Sequence, residues 1–150
     1  MKINLGCGKD YWDGWINCDI SKEIKADKYF DVRKGLPFRD DSSKQIQVGC
    51  ILEQICSNDD FIFVMNELWR VLMSDGKLTG YVPNALHQNV VFLDPMDCRF
   101  FRPETFDYFN YEHNAWKQFG SHYGFKPWGV RSLSEADNGI LHFEMTPHKA

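Results

Sequence analysis

Ile3-Asn4-Leu5-Gly6-Cys7-Gly8 is the stretch on which the reading of this chain turns. A short apolar run passing straight into Gly-x-Gly makes a turn whose glycines admit positive φ and let backbone approach a ligand closely. Alone, such a pair also serves as an ordinary turn. The next strand-like run, Trp15-Ile16-Asn17-Cys18-Asp19, ends in an acid. A carboxylate at the carboxyl end of a strand beside a glycine turn can accept from both hydroxyls of a ribose. For an isolated Asp the alternative is a cap or a surface turn. Gly14 comes too late to complete G-x-G-x-x-G, which counts against a nicotinamide-dependent oxidoreductase.

Phe30-Asp31-Val32 repeats the pattern of an acid near a strand end, placed to accept from an exocyclic amine, with a flat-packing aliphatic beside it. Short strands are expected at Lys2–Leu5, Trp15–Asp19, Lys28–Val32 and Gln45–Leu52. Ser57-x-x-Asp60 then opens a helix, and Phe61, Val64, Met65, Leu68, Val71 and Leu72 recur at helical spacing. Ser74-Asp75-Gly76 is expected to stop it before a strand at Lys77–Val82. Asn84 to Arg102 has no periodicity, as functional or mobile loops do. Pro103 suits the first turn of a helix, and a further helical stretch is expected over Glu112–Tyr123, closed by Gly124. Two strand-like runs, Phe125–Leu133 and Ile140–Thr146, finish the chain as a hairpin. Strands alternating with helices predict an α/β sandwich around a mainly parallel sheet.

The chain has 150 residues, 43% hydrophobic and 25% charged, with a formal net charge of −4. That suits one globular domain spanning 1–150 and argues against a nucleic-acid or anionic-membrane surface. No apolar run approaches the roughly 18–20 residues of a membrane span, and Met1–Gly6 lacks the apolar core of a signal peptide. The expectation is a cytoplasmic protein. The five cysteines form no C-x-x-C and are read as reduced thiols without disulfides. The five scattered histidines argue against a metal site.

The order of these motifs resembles the class I S-adenosylmethionine-dependent methyltransferases, in the small branch that begins at the first strand. The L-G-C-G, G-W-x-N-x-D and L-P-F-x-D-x-S signatures appear as Leu5–Gly8, Gly14–Asp19 and Leu36–Ser42. Gly49-Cys50-Ile51-Leu52-Glu53-Gln54-Ile55 stands for the S-H-V-L-E-H-I segment. Glu67–Gly76 corresponds to the E-x-x-R-V-L helix end and Val82-Pro83-Asn84 to V-P-N. Asp94-Pro95, Arg99, Phe101, Pro103-Glu104 and Phe106 match the late D-P-x-H-x-R-x-F-x-P-E-x-F motif. The likeness runs over nearly the whole chain.

The resemblance implies a Rossmann-like methyltransferase sandwich that binds S-adenosylmethionine and releases S-adenosylhomocysteine. It places Gly6, Cys7 and Gly8 at the amino-acid and ribose part of the cofactor, Asp19 on the ribose diol and Ile20 on the adenine. Asp31 meets the adenine amine with Val32 beside it, and Gly49 and Cys50 face the methionyl end. Both histidines of S-H-V-L-E-H are replaced, by Cys50 and Gln54, and that of D-P-x-H is Asp97. In-line transfer to a nucleophilic acceptor depends mainly on alignment and desolvation, so these losses do not remove the chemistry. Asp97 and His87 are the candidate bases, and Arg99 and Phe101 the candidate substrate-facing residues. The acceptor is read as a small molecule or a saccharide-like compound. The rival is a non-catalytic cofactor- or partner-binding domain that kept the fold.

Parallel strands need crossovers of a dozen residues or more, usually helical. The links Gly6–Gly14, Ser21–Asp27 and Arg33–Lys44 are too short or turn-rich for that. One sheet face is therefore expected to be thinly covered, patched by Tyr11, Trp12, Trp15 and Phe30 or closed by a homodimer partner or another protein.

Overall fold

The computed structural model describes all 150 residues. Seven strands form one sheet: β1 (Lys2–Leu5), β2 (Ile16–Asp19), β3 (Lys28–Tyr29), β4 (Ser43–Gly49), β5 (Leu72–Pro83), β6 (Trp128–Glu135) and β7 (Ile140–Pro147). Their spatial order is β3-β2-β1-β4-β5-β7-β6. The first five strands pair in parallel, and β7 runs antiparallel to both β5 and β6. The mainly parallel sheet with a terminal antiparallel hairpin is as the sequence predicts.

Register assigns every side chain to a face, because paired residues on adjacent strands point the same way. Ile16, Ile3, Ile46 and Leu78 share one face, followed by Cys18, Leu5 and Val48 one pleat further along. Leu141, Phe143 and Met145 continue it across β7. Against this face packs α1 (Asn58–Val71), whose Phe61, Val64, Met65, Leu68 and Val71 are all at most 3% exposed. Burying each contributes about 1.5–3 kcal/mol. Ser57 caps the helix by accepting from Asp60 N, and Asp59 and Asp60 sit in its first turn, where the dipole favours them.

The opposite face is polar. Asn4 and Asn17 bond to each other at 3.0 Å, Thr79 donates to Gln47 at 2.6 Å, and Lys77 pairs with Glu144 at 3.2 Å. The β1–β2 and β2–β3 links, which right-handed crossovers send over this face, contain no helix. The link after β1 folds over the two asparagines, with Asn4 donating to Asp10 O and Asn17 exchanging bonds with the Trp12 backbone. Trp12 packs edge-on against Trp15 at 5.0 Å, so the expected local aromatic patch is present there. Phe30 instead packs on Phe38. The face is thin as expected but not apolar, which removes the physical ground for closing it with a second copy.

Several boundaries move for identifiable reasons. β3 ends at Tyr29 because the Asp31 side chain accepts from Arg33 N and caps a 3-10 turn over Val32–Lys34. β4 ends at Gly49 because Cys50 takes a left-handed φ of 52° and a 3-10 turn, Leu52–Gln54, follows. No turn separates α1 from β5: Leu72 is already extended and pairs with Ser43, so Ser74-Asp75-Gly76 lies within the strand. The expected Glu112–Tyr123 helix is a π-helical turn, Trp116–Gly120, leading into Ser121–Tyr123, with Gly124 at φ 103° closing it. The carbonyl of Tyr108 lies where a Cβ on Gly120 would sit, so only glycine fits.

The reduced-cysteine expectation is overturned at one pair: Cys56 and Cys98 form a disulfide, while Cys7, Cys18 and Cys50 are free. The two meet because Cys98 N and Arg99 N both donate to Glu53 O at 2.9 Å, laying the long loop against the turn before α1. A separation of 42 residues hides this in the sequence. Persistent disulfides are rare in reducing compartments, so the cysteines no longer argue for the cytoplasm. No helix is long and apolar enough to cross a membrane.

Candidate functional site

The chain runs outward from β1 to β2 and β3, then returns to β1's other side as β4. The carboxyl ends of β1 and β4 thus flank the point where strand order reverses, where open α/β sheets form their ligand crevice. A cleft of about 540 Å³ opens there, lined by residues of five consecutive connections. Gly6 and Gly49 form its floor. Gly6 has φ 66°, and a Cβ on it would lie 2.8 Å from Ile51 and 3.0 Å from the Gly49 carbonyl. Both the turn and the close strand approach therefore demand glycine.

Asp19 lines the cleft at the end of β2. Its Oδ2 accepts from Gly8 N at 3.0 Å and its Oδ1 from Ser21 N at 2.9 Å. Each oxygen keeps a lone pair, so the backbone aims the carboxylate and leaves it able to accept from a diol. Ile20 beside it is 64% exposed, an apolar surface presented to the cleft rather than to the core. Cys7 is different: its side chain is buried, and burial, followed by the charge of Asp19, raises its thiol pKa. Of Gly6, Cys7 and Gly8, only Gly6 lines the cleft.

Asp31 and Val32 also line it, yet Asp31 is not a free acceptor. Arg33 clamps it through Nε at 2.9 Å and Nη2 at 2.7 Å, and this hydrogen bonding holds the carboxyl below the usual carboxylate range. Arg33 itself borders the cleft and carried no sequence signal. Phe30, Ile51, Ile55 and Met96 add apolar wall. The set of carboxylates, apolar wall and exposed backbone suits a nucleoside with a charged tail.

Cys50 reaches past the cleft into a second cavity of about 220 Å³, bounded also by Glu53, Tyr81, Pro83, Val90, Leu93, Asp94, Asp97 and Ile140. Asp97 thus stands near the expected methionyl end, and burial raises its pKa. The other loop candidates are displaced. His87 lies against Gly139 in the β6–β7 turn and lines neither cavity. Arg99 is spent on structure: it donates to Ile55 O and Asn58 Oδ1 and stacks 4.1 Å over Phe61. Phe101 is 1% exposed and packs on Phe61 and Phe106 in the core. Neither lines the cleft or the second cavity.

Glu53 lies within the Gly49–Ile55 motif and is not among the site residues that the resemblance implies. It is 4% exposed, its Oε2 has no hydrogen-bond partner, and burial raises its pKa to about 7. The signal that points to it is an acid placed directly after the apolar pair Ile51-Leu52 in the turn that follows β4.

No protein-family model matches the chain, and no curated protein matches it by sequence. Solved structures do match. An S-adenosylmethionine-dependent methyltransferase from Clostridium acetobutylicum superposes with TM-score 0.68 at 9% identity, over 99% of this chain and 84% of that one. A complex of DhpI with SAH gives TM-score 0.68 at 15% identity, over 99% and 77%. A SAM-dependent methyltransferase from Archaeoglobus fulgidus gives 0.64 at 12%, over 97% and 85%. The fold of this chain is that of the S-adenosylmethionine-dependent methyltransferases.

Proposed function

We propose that the chain, acting as one minimal methyltransferase-like domain over residues 1–150, transfers a methyl group from S-adenosylmethionine to a small-molecule acceptor, saccharide-like compounds included. The observation carrying this reading is the cleft at the β1–β4 switch point with Asp19 held at its edge by Gly8 and Ser21. Asp19 would take the ribose diol, while Ile20 and Val32 would enclose the adenine. Gly6 and Gly49 leave room for the methionyl end. The bound sulfonium supplies an activated methyl with a neutral leaving group. The protein's part is then to align the acceptor and exclude water.

Calorimetry with S-adenosylhomocysteine and NAD tests the reading. Binding of the first and silence with the second are expected. Asp19→Ala should weaken S-adenosylhomocysteine by about 1–3 kcal/mol, the value of a charge-assisted pair to a diol. Absence of binding, or unchanged affinity in the variant, would overturn it.

One observation favours the rival, a binding domain without catalysis. The Arg33 clamp occupies the Asp31 carboxylate that would otherwise meet an adenine amine. Methyl incorporation into a small-molecule pool separates the two. A homodimer across the helixless face is not part of the proposal, since that face is polar.

A further inference from the structure

The 220 Å³ cavity adjoins the cofactor cleft at Cys50, and its wall is chemically one-sided. Three acidic residues line it, Glu53, Asp94 and Asp97, together with Cys50 and Tyr81. The rest of the wall is aliphatic: Pro83, Val90, Leu93 and Ile140. No Lys, Arg or His is among the lining residues. Arg99, the nearest candidate in sequence, turns its guanidinium to Ile55 O and Asn58, and His142 packs on the flank of Tyr81.

Two acidic oxygens here are buried and unpaired, Glu53 Oε2 and Asp97 Oδ1. A buried polar atom without a partner is costly, and native structures keep one where a ligand or a proton completes it. Asp94 is served by Gln54 Nε2 at 3.0 Å, which leaves Glu53 and Asp97 as the oxygens in need of a donor. A carboxylate or phosphate entering this wall would meet only like charge. A protonated amine would supply the missing donors and the missing positive charge.

We propose that this cavity is the acceptor site, that its acceptor is a cationic amine, and that Glu53 removes the ammonium proton. This rests on the methyl-transfer reading above. The N–H bond breaks toward Glu53, leaving a neutral nitrogen lone pair and a carboxylic acid. The lone pair forms the new N–C bond as the C–S pair returns to sulfur, giving the thioether product. The proton on Glu53 leaves past Asp97 to water, so one proton is released per methyl transferred. A base that ionises near neutrality suits the task, and burial of Glu53 gives it that property.

The test is an NMR shift titration of the S-adenosylhomocysteine-saturated protein at pH 7.5 with benzylammonium, benzyl alcohol and benzoate as probes. Benzylammonium should move the amides of Cys50, Tyr81, Val90 and Asp97, and bind about tenfold more tightly than the alcohol, with benzoate silent. Glu53→Gln, and independently Asp97→Asn, should weaken benzylammonium about tenfold while S-adenosylhomocysteine still binds. Benzoate binding as well as the amine, no probe binding to the saturated protein, or both variants binding like wild type would overturn the amine assignment while leaving methyl transfer intact. Failure of S-adenosylhomocysteine itself to bind would overturn both.

Discussion

The Tyr81 hydroxyl stands where a side chain on Gly49 would begin, 2.5 Å from the position of an ideal Cβ. The two are register partners on β4 and β5, so their side-chain positions point to the same face. Burial pushes the phenol up to about 12, so it is a neutral donor at any working pH. Gly49→Ala should therefore drive the ring aside, narrowing the cleft and the adjoining cavity together. S-adenosylhomocysteine affinity should fall about tenfold or more with circular dichroism unchanged. Gly49→Ala combined with Tyr81→Phe, which removes the colliding oxygen, should recover part of the loss. Wild-type affinity in the single variant would show that the two residues do not share this space.

The strands that build the cleft were legible because each ends on punctuation with a physical job. Gly6 must be left-handed, and Asp19 closes β2. What sequence concealed is pairing at a distance. Arg33 on Asp31 looks like a surface arginine until the 3-10 turn folds it back. Cys56 and Cys98 look independent until the long loop lies on Glu53 O. Arg99 and Phe101 matched a motif, yet the same loop path turns one onto backbone carbonyls and the other into the core. The polar face was readable in Lys2, Asn4, Gln45, Gln47 and Thr79, which alternate with apolar residues along their strands. That period-2 pattern marks a sheet open to water on one side, and the short crossovers agree with it.

Glu53 should leave a signature in stability against pH. Burial raises its carboxyl from 4.5 to about 7, with the charges of Asp97 and Asp94 adding to the rise. Between those values the folded chain keeps a proton that the unfolded chain releases. The Glu53 contribution to stability is thus whole below pH 4.5 and is lost as pH rises through about 7, a change of about 3 kcal/mol. Asp31 and Glu67, whose carboxyls are lowered, act in the opposite sense and below this window. Urea denaturation at pH 5, 6, 7 and 8 should show Glu53→Gln gaining on wild type up to pH 7 and levelling beyond. A constant difference across the series would refute it.

The Cys56–Cys98 bond ties the loop that roofs both cavities to the turn before α1. Its Cα atoms are 5.5 Å apart, a normal span for the bridge. Cys98→Ser should lower stability by about 2–4 kcal/mol. It should also speed hydrogen exchange between Asn84 and Arg102, because hydrogen bonds alone, from the Cys98 and Arg99 amides to Glu53 O and from the Arg99 side chain to Ile55 O and Asn58, then hold that end. Equal exchange in wild type and variant would show that the loop is held by its hydrogen bonds and packing without the disulfide.

Glu67 and Arg70 lie one turn apart on α1 and together hold the segment that presents Asp31. Glu67 accepts from Arg70 Nε at 2.6 Å and from Leu36 N at 2.8 Å. Arg70 in turn donates to Phe38 O at 2.9 Å, Leu36 O at 3.1 Å and Asp40 at 2.6 Å. The connection from β3 to β4 has no helix longer than the 3-10 turn Val32–Lys34 to pack, so this pair does much of that work. Removing the Glu67 charge leaves Leu36 N and the guanidinium poorly met, while removing Arg70 strands a carboxylate and two carbonyls. Glu67→Gln should therefore cost about 2 kcal/mol and Arg70→Met about 3 kcal/mol. Both should loosen the Asp31–Phe38 segment and weaken S-adenosylhomocysteine by a common factor, since neither residue lines the cleft. Denaturation at pH 7 and calorimetry on the same samples read the two effects. A loss of stability with cofactor-product affinity unchanged would show that this segment does not position the adenine end of the site.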